Sequence, residues 1–113
     1  MKIITETITL DEIKQMASAL FGDLVKAVVD VDKELIAINA ELHSDLEALL
    51  IENGSKQESL WGVNFYPDEQ DDGFVEFDSM INMRPSQNNR SRGVESDEMR
   101  NKIIEIIGKM IKR

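Results

Sequence analysis

The residues best suited to chemistry lie in the run Arg84-Pro-Ser-Gln-Asn-Asn-Arg-Ser-Arg92-Gly93. Arg84, Arg90 and Arg92 are planar cations that can each grip a phosphate or carboxylate through two hydrogens at once. Gln87, Asn88 and Asn89 add polar specificity, and no acid lies between Asp78 and Glu95 to neutralise the arginines. Gly93 would allow close backbone approach, and a helix start follows it. Glu95, Asp97 and Glu98 crowd that start with negative charge, which weakens an anion site there. The spacing of a P-loop or a dinucleotide fingerprint is missing, so nucleotide binding is not indicated. The competing reading is an ordered loop whose arginines pair with acids of the first 83 residues.

A second constellation is Glu41-Leu-His43-Ser-Asp45-Leu-Glu47. On a helix His43 and Glu47 are neighbours one turn apart, as are Glu41 and Asp45. His43 is the single histidine of the chain and therefore the candidate for proton transfer near neutral pH. The pattern lacks the further histidine that zinc motifs carry. Farther on, Glu76, Asp78 and Asn82 alternate along one strand face, with Asn64 available from a neighbouring strand. Converging carboxylates of this kind, with Glu47, could hold Mg²⁺ or activate water. A solvated polar face, or acids that restrain the nearby arginines, would look the same in sequence.

Two readings of function follow. In the preferred one the protein is a binding module whose loop 84–93 holds an anionic small ligand or a partner protein, because three cations within nine residues repel one another unless something offsets them. In the other it is a metal-assisted phosphoesterase or nuclease-like enzyme with His43 as acid or base and Glu47, Glu76 and Asp78 as ligands. Neither needs an organic cofactor.

Charge narrows the partners. Net charge is −9, yet residues 1–83 hold 5 basic and 18 acidic groups while residues 84–113 hold 8 and 4. The overall field repels bulk DNA and anionic membranes, leaving a structured nucleic acid with a local fit as the nucleic-acid option. With no cysteine, disulfides, zinc–thiolate sites and thiol catalysis are excluded. The N-terminus carries no apolar stretch of signal-peptide length, and no apolar run approaches the ~18 residues of a membrane span. The expected location is the cytoplasm.

The elements that would position these residues are legible from periodicity. Thr9-Leu-Asp-Glu12 is a capping box opening a helix over 10–21, ended by Gly22. Lys2–Ile8 precedes it as an edge strand or arm, which is compatible with a homodimer paired edge to edge. Leu24–Val31 and Glu34–Asn39 form a hairpin about Asp32-Lys33, with Val25, Ala27, Val29 and Val31 on one face and Lys26, Val28 and Asp30 on the other. Leu42–Glu52 is helical, with Leu42, Leu46, Leu49 and Leu50 on its apolar side. Leu60–Tyr66 and Phe74–Asn82 form a second hairpin about the solvated turn Pro67–Gly73, its core face made of Trp61, Val63, Phe65, Val75, Phe77 and Ile81. Ser96 caps a last helix. The expectation is one α+β domain over residues 1–113, α-ββα-ββα, with a mixed or antiparallel sheet of about four strands and the helices packed on one face.

Three blocks carry a resemblance: Val25–Asp30; Glu41–Asp45 running through Gly54-Ser55 to Leu60–Asn64; and Ser79–Asn82 through Arg84–Gln87 to Asn89–Val94. Together they resemble a small family of prokaryotic proteins known as a domain of unknown function. The likeness extends from about residue 24 onward. It implies a free-standing microbial protein and brings no activity or site residues with it.

Overall fold

The computed structural model describes all residues, Met1–Arg113. Residues Lys2–Ile4 form β1 and Ile8–Thr9 form β2, leading directly into α1, Leu10–Ala19. The capping box closes reciprocally: Glu12 N–H donates to Thr9 Oγ1 at 3.2 Å and Thr9 N–H donates to Glu12 Oε2 at 2.9 Å. Ile13 and Ala17 anchor α1 on the core. Gly22, at φ +97°, turns the chain out of it and returns an amide to Ala17 O at 2.6 Å.

The hairpin is formed by β3, Val25–Asp30, and β4, Leu35–Ile38. Its turn is built on Asp30, which is 1% exposed. Oδ1 of Asp30 accepts from the amides of Asp32 and Lys33, both at 2.9 Å, and Oδ2 accepts from Ser55 Oγ at 2.6 Å. A buried carboxylate thus fixes the turn and ties it to the end of α2, His43–Glu52. Next come β5, Leu60–Phe65, and the two-residue β6, Val75–Glu76. The chain finishes with α3, Asp97–Met110, and β7, Ile111–Lys112. Ser96 caps α3, its Oγ accepting from Met99 N–H at 3.1 Å.

The sheet has five strands in the order β1-β4-β3-β5-β6, all antiparallel, and a separate parallel pair joins β2 to β7. The expected four strands become five because Lys2–Ile4 pairs outside β4. The helices also do not share one face. Val25, Ala27, Val29, Ile36, Ile38, Trp61, Val63 and Phe65 belong to the core under α1 and α3. The alternate residues Val28, Ala37 and Leu60 pack with Leu46 and Leu50 of α2 in a second core on the other side. The sheet centre is therefore apolar on both faces, and α2 covers what Val28, between Lys26 and Asp30, makes look half polar. No helix is long and apolar enough to cross a membrane.

The second hairpin departs furthest from expectation. Only Val75–Glu76 of the run Phe74–Asn82 pairs with β5; Met80–Asn82 is a 3₁₀ turn, and Ile81 packs with the α2 core instead of the Trp61 face. Beyond β6, the outer edge of β5 is satisfied by a side chain. Gly62 N–H donates to Asn82 Oδ1 at 2.8 Å, and Asn82 Nδ2 donates to Gly62 O at 3.0 Å. This pairing brings the turn so close that a Cβ on Gly62 would sit 2.5 Å from Ser79 Cβ.

Gly62→Ala should therefore lower stability by about 2 kcal/mol or more through overpacking. Gly108→Ala, on α3 with nothing within 4 Å of the added carbon, should raise it by about 0.5–1 kcal/mol. Urea midpoints measure both, and equal midpoints for the two variants would contradict the packing described.

Candidate functional site

The arginine loop is built from within. Asn89, 3% exposed, donates through Nδ2 to Asn82 O at 2.7 Å and Gly93 O at 2.8 Å, and accepts Glu95 N–H at Oδ1 at 2.9 Å. Its main chain pairs with Arg84 in a two-way bridge at 2.7 and 3.2 Å, closing the turn Pro85–Gln87. Asn88 occupies the left-handed region at φ 61°, a conformation asparagine tolerates better than most side chains. Glu95 Oε2 accepts the amides of Arg90 and Ser91 at 2.5 and 2.8 Å, and these bonds hold its carboxyl below the ordinary carboxylate range.

Four of the six loop residues expected to bind a ligand thus serve the loop itself. Besides Asn88 and Asn89, Gln87 donates to Glu58 O at 3.0 Å. Arg84 donates to Gln57 O at 2.5 Å and to Leu60 O, and its guanidinium lies 4.3 Å from the centre of the Trp61 ring. Burial works against the charge of Arg84 and the nearby Glu47 supports it, though no ion pair joins them, and Glu47 Oε2 and Arg84 Nε are each buried without a hydrogen-bond partner. Arg90 is exposed and its side chain makes no bond. Arg92 Nε lies 2.7 Å from Asp78 Oδ1, an ion pair half open to solvent that leaves the two terminal nitrogens for another partner.

Arg92 reaches a cleft of about 380 Å³ on the α2 side of the sheet. Its centre is a row across three strands: Lys26 of β3 faces Asn64 of β5, which faces Glu76 of β6. Two strand spacings place the main chains of Lys26 and Glu76 about 10 Å apart across the sheet. Asn64 Nδ2 donates to Glu76 Oε1 at 2.8 Å and to Asp78 O at 3.2 Å, while its Oδ1 is buried without a partner. Tyr66 O–H donates to the same Glu76 oxygen at 3.1 Å, and burial together with that carboxylate raises its pKa. Leu24, Leu42, Met80 and Ile81 provide apolar walls.

His43 lines the same cleft at the first turn of α2, whose capping position holds exposed Leu42 and no side-chain cap. The helix N-terminus therefore presents its partial positive charge there. His43 Nε2 lies 2.9 Å from Val63 O, so that nitrogen carries the proton and Nδ1 is left as an acceptor. Burial lowers the pKa of His43, against the smaller opposing effect of the Val63 carbonyl.

The structure thus gathers His43, Asn64, Glu76, Asp78 and Arg92. It leaves Glu47 outside the cleft and uses Asn82 to complete the sheet. No three His, Cys, Asp or Glu side chains converge as a metal ion would need. Lys26 and Tyr66 were not anticipated as site residues. The alternation that puts Lys26 opposite Val25 and Ala27 was a signal, but its neighbours could be known only from strand register.

The lowered pKa of His43 makes stability pH-dependent. Because the unfolded chain binds the proton more readily, the contribution of neutral His43 is complete above its ordinary value of 6.5 and is lost as pH falls from there through the depressed folded value. Glu12 and Glu95, held below 4.5, act at lower pH. The His43 ring protons should titrate with a midpoint below 6.5, and His43→Gln should flatten the fall in urea midpoint just below that pH. A midpoint at or above 6.5 would contradict the burial argument.

No curated protein and no solved structure matches the chain. A family model described as a protein of unknown function (DUF5674) matches residues 2–110, and the chain belongs to that family.

Proposed function

We propose that the protein is a small binding module whose cleft between α2 and the β5–β6 edge receives an anionic group on Arg92 and Lys26. The observation that carries this reading is their convergence on one cleft beside the uncapped start of α2. Arg92 is held through one nitrogen only, and Lys26 makes no ion pair, its ammonium resting 5.4 Å from the centre of the Phe21 ring, so both retain hydrogen bonds for a ligand. The anion-binding role is thereby narrowed from the whole loop to Arg92, with Arg84, Gln87, Asn88 and Asn89 as the frame that presents it. Arg90, on the outside of the loop, is left for a partner protein or a structured nucleic acid. The acidic remainder of the molecule disfavours bulk DNA, and the free outer edge of β1 suits a homodimer in the cytoplasm.

A hydrolytic role is the second reading, favoured by one observation: neutral His43, with Nδ1 free to accept, shares the cleft with Glu76, Asp78 and Arg92. In that role His43 is the base and Arg92 steadies a phosphoryl group. Glu47 stands outside it, so any metal assistance would rest on Glu76 and Asp78. Mg²⁺, Mn²⁺ and Zn²⁺ titrations followed by NMR test this, and unmoved resonances at His43, Glu76 and Asp78 would remove it.

The binding reading is tested by amide NMR titration with acetate and inorganic phosphate, using chloride as the control for ionic strength. Shifts should concentrate at Lys26, Ser44, Asn64 and Arg92. Arg92→Ala should weaken binding about tenfold, the loss of one charge-assisted contact, whereas Arg90→Ala should leave it nearly unchanged. Shifts no larger than those from chloride, or equal loss in both variants, would overturn the proposal.

A further inference from the structure

We infer that the ligand is a zwitterion of amino-acid size, with an ammonium group seated between Asn64 and Glu76 and its acid on Lys26 and Arg92. This rests on the anion-binding reading and adds a second charged group, opposite in sign, to the ligand.

An anion alone would leave the floor of the cleft unanswered. Asn64 is 6% exposed, and its Oδ1 has no donor. The amide cannot be turned round to relieve this, because Nδ2 already donates to two acceptors, Glu76 Oε1 and Asp78 O. What Oδ1 lacks is an N–H or O–H. His43 could supply one only by taking up a second proton, which its burial disfavours more than the neighbouring Asn64 favours it. Glu76 Oε1 is engaged by Asn64 and Tyr66, leaving Oε2 free for a donor. The acceptors therefore cluster at the β5–β6 side of the cleft.

The charges are arranged to match. Asp78 offsets part of the charge of Arg92 and engages only its Nε, leaving the two terminal nitrogens open to an acid. The row itself has Lys26 at one end and Glu76 at the other, with the neutral acceptor Asn64 between them. A ligand complementary to that row carries an anion at the Lys26 end and a cation at the Glu76 end. The two groups must fall within the about 10 Å that two strand spacings provide, which limits the ligand to a few bonds between charges. Leu24, Leu42, Met80 and Ile81 suit a short hydrocarbon part, so an aminocarboxylate fits better than an inorganic ion.

A four-carbon series separates the contributions: butyrate, α-aminobutyrate, γ-aminobutyrate and butylamine, titrated into the full chain and followed by amide shifts. One of the amino acids should bind about tenfold tighter than butyrate, the gain expected of a charge-assisted hydrogen bond. That advantage should vanish in Glu76→Gln while butyrate itself binds that variant as before. If butyrate binds as tightly as both amino acids, or the advantage survives in Glu76→Gln, the zwitterion inference fails and the anion site stands. If butylamine binds as tightly as the amino acids, the cleft is a cation site and both ideas fail. If none of the four shifts the cleft resonances, this inference fails, and the acetate and phosphate titration decides the anion site separately.

Discussion

The contact between Asn82 and Gly62 joins the sheet to the arginine loop and sets how both are held. At the point where β6 stops, the carboxamide of Asn82 takes over the outer edge of β5, giving and receiving one hydrogen bond as a neighbouring strand would. The site is fully buried, so each main-chain group left unmatched would cost about 1–3 kcal/mol. Asn82 Nδ2 also donates to Arg92 O at 2.9 Å, and Ser79 N–H meets that same carbonyl, also at 2.9 Å. The loop is therefore hung from the sheet edge at the residue that reaches the cleft. Asn89, bonded to Asn82 O, carries the rest of the loop on the same support.

That arrangement explains what the sequence could and could not reveal. Local rules were enough for the capping box at Thr9, the Ser96 cap and the valine alternation of β3, since each depends on residues a few positions apart. The sequence also resolved which residues of β3 share a face. It did not reveal that α2 covers the second face, because Val28 between Lys26 and Asp30 looks like one apolar residue on a polar side. Nor could it distinguish a strand from a 3₁₀ turn over Met80–Asn82, where the outcome depends on Gly62, twenty residues away. The arginines were visible as a group, yet their separate fates were not. Arg84 found carbonyls and an indole, Arg92 an acid, and Arg90 solvent.

The cleft inherits its character from the same edge. Because β6 is only two residues long, Asp78 leaves the strand line and meets Arg92, while Glu76 keeps its place opposite Asn64. A longer β6 would place both acids in one alternating row on the sheet face, the metal-like arrangement read from sequence. The short strand instead gives Asp78 to Arg92 and leaves Glu76 with the neutral donors Asn64 and Tyr66, so Glu76 and Lys26 mark the negative and positive ends of the row.

The β2–β7 pair has a consequence of a different kind. Ile8 aligns with Ile111 and Thr9 with Lys112, and both isoleucines are buried in the larger core. Contacts between positions so far apart carry a large loop-closure cost and are made slowly. The two local hairpin and helix units around β3–β4 and α2 can assemble early, whereas sealing the core beneath α1 and α3 waits on the meeting of two distant segments. Any state in which they have not yet met leaves the apolar faces of both helices open to intermolecular contacts.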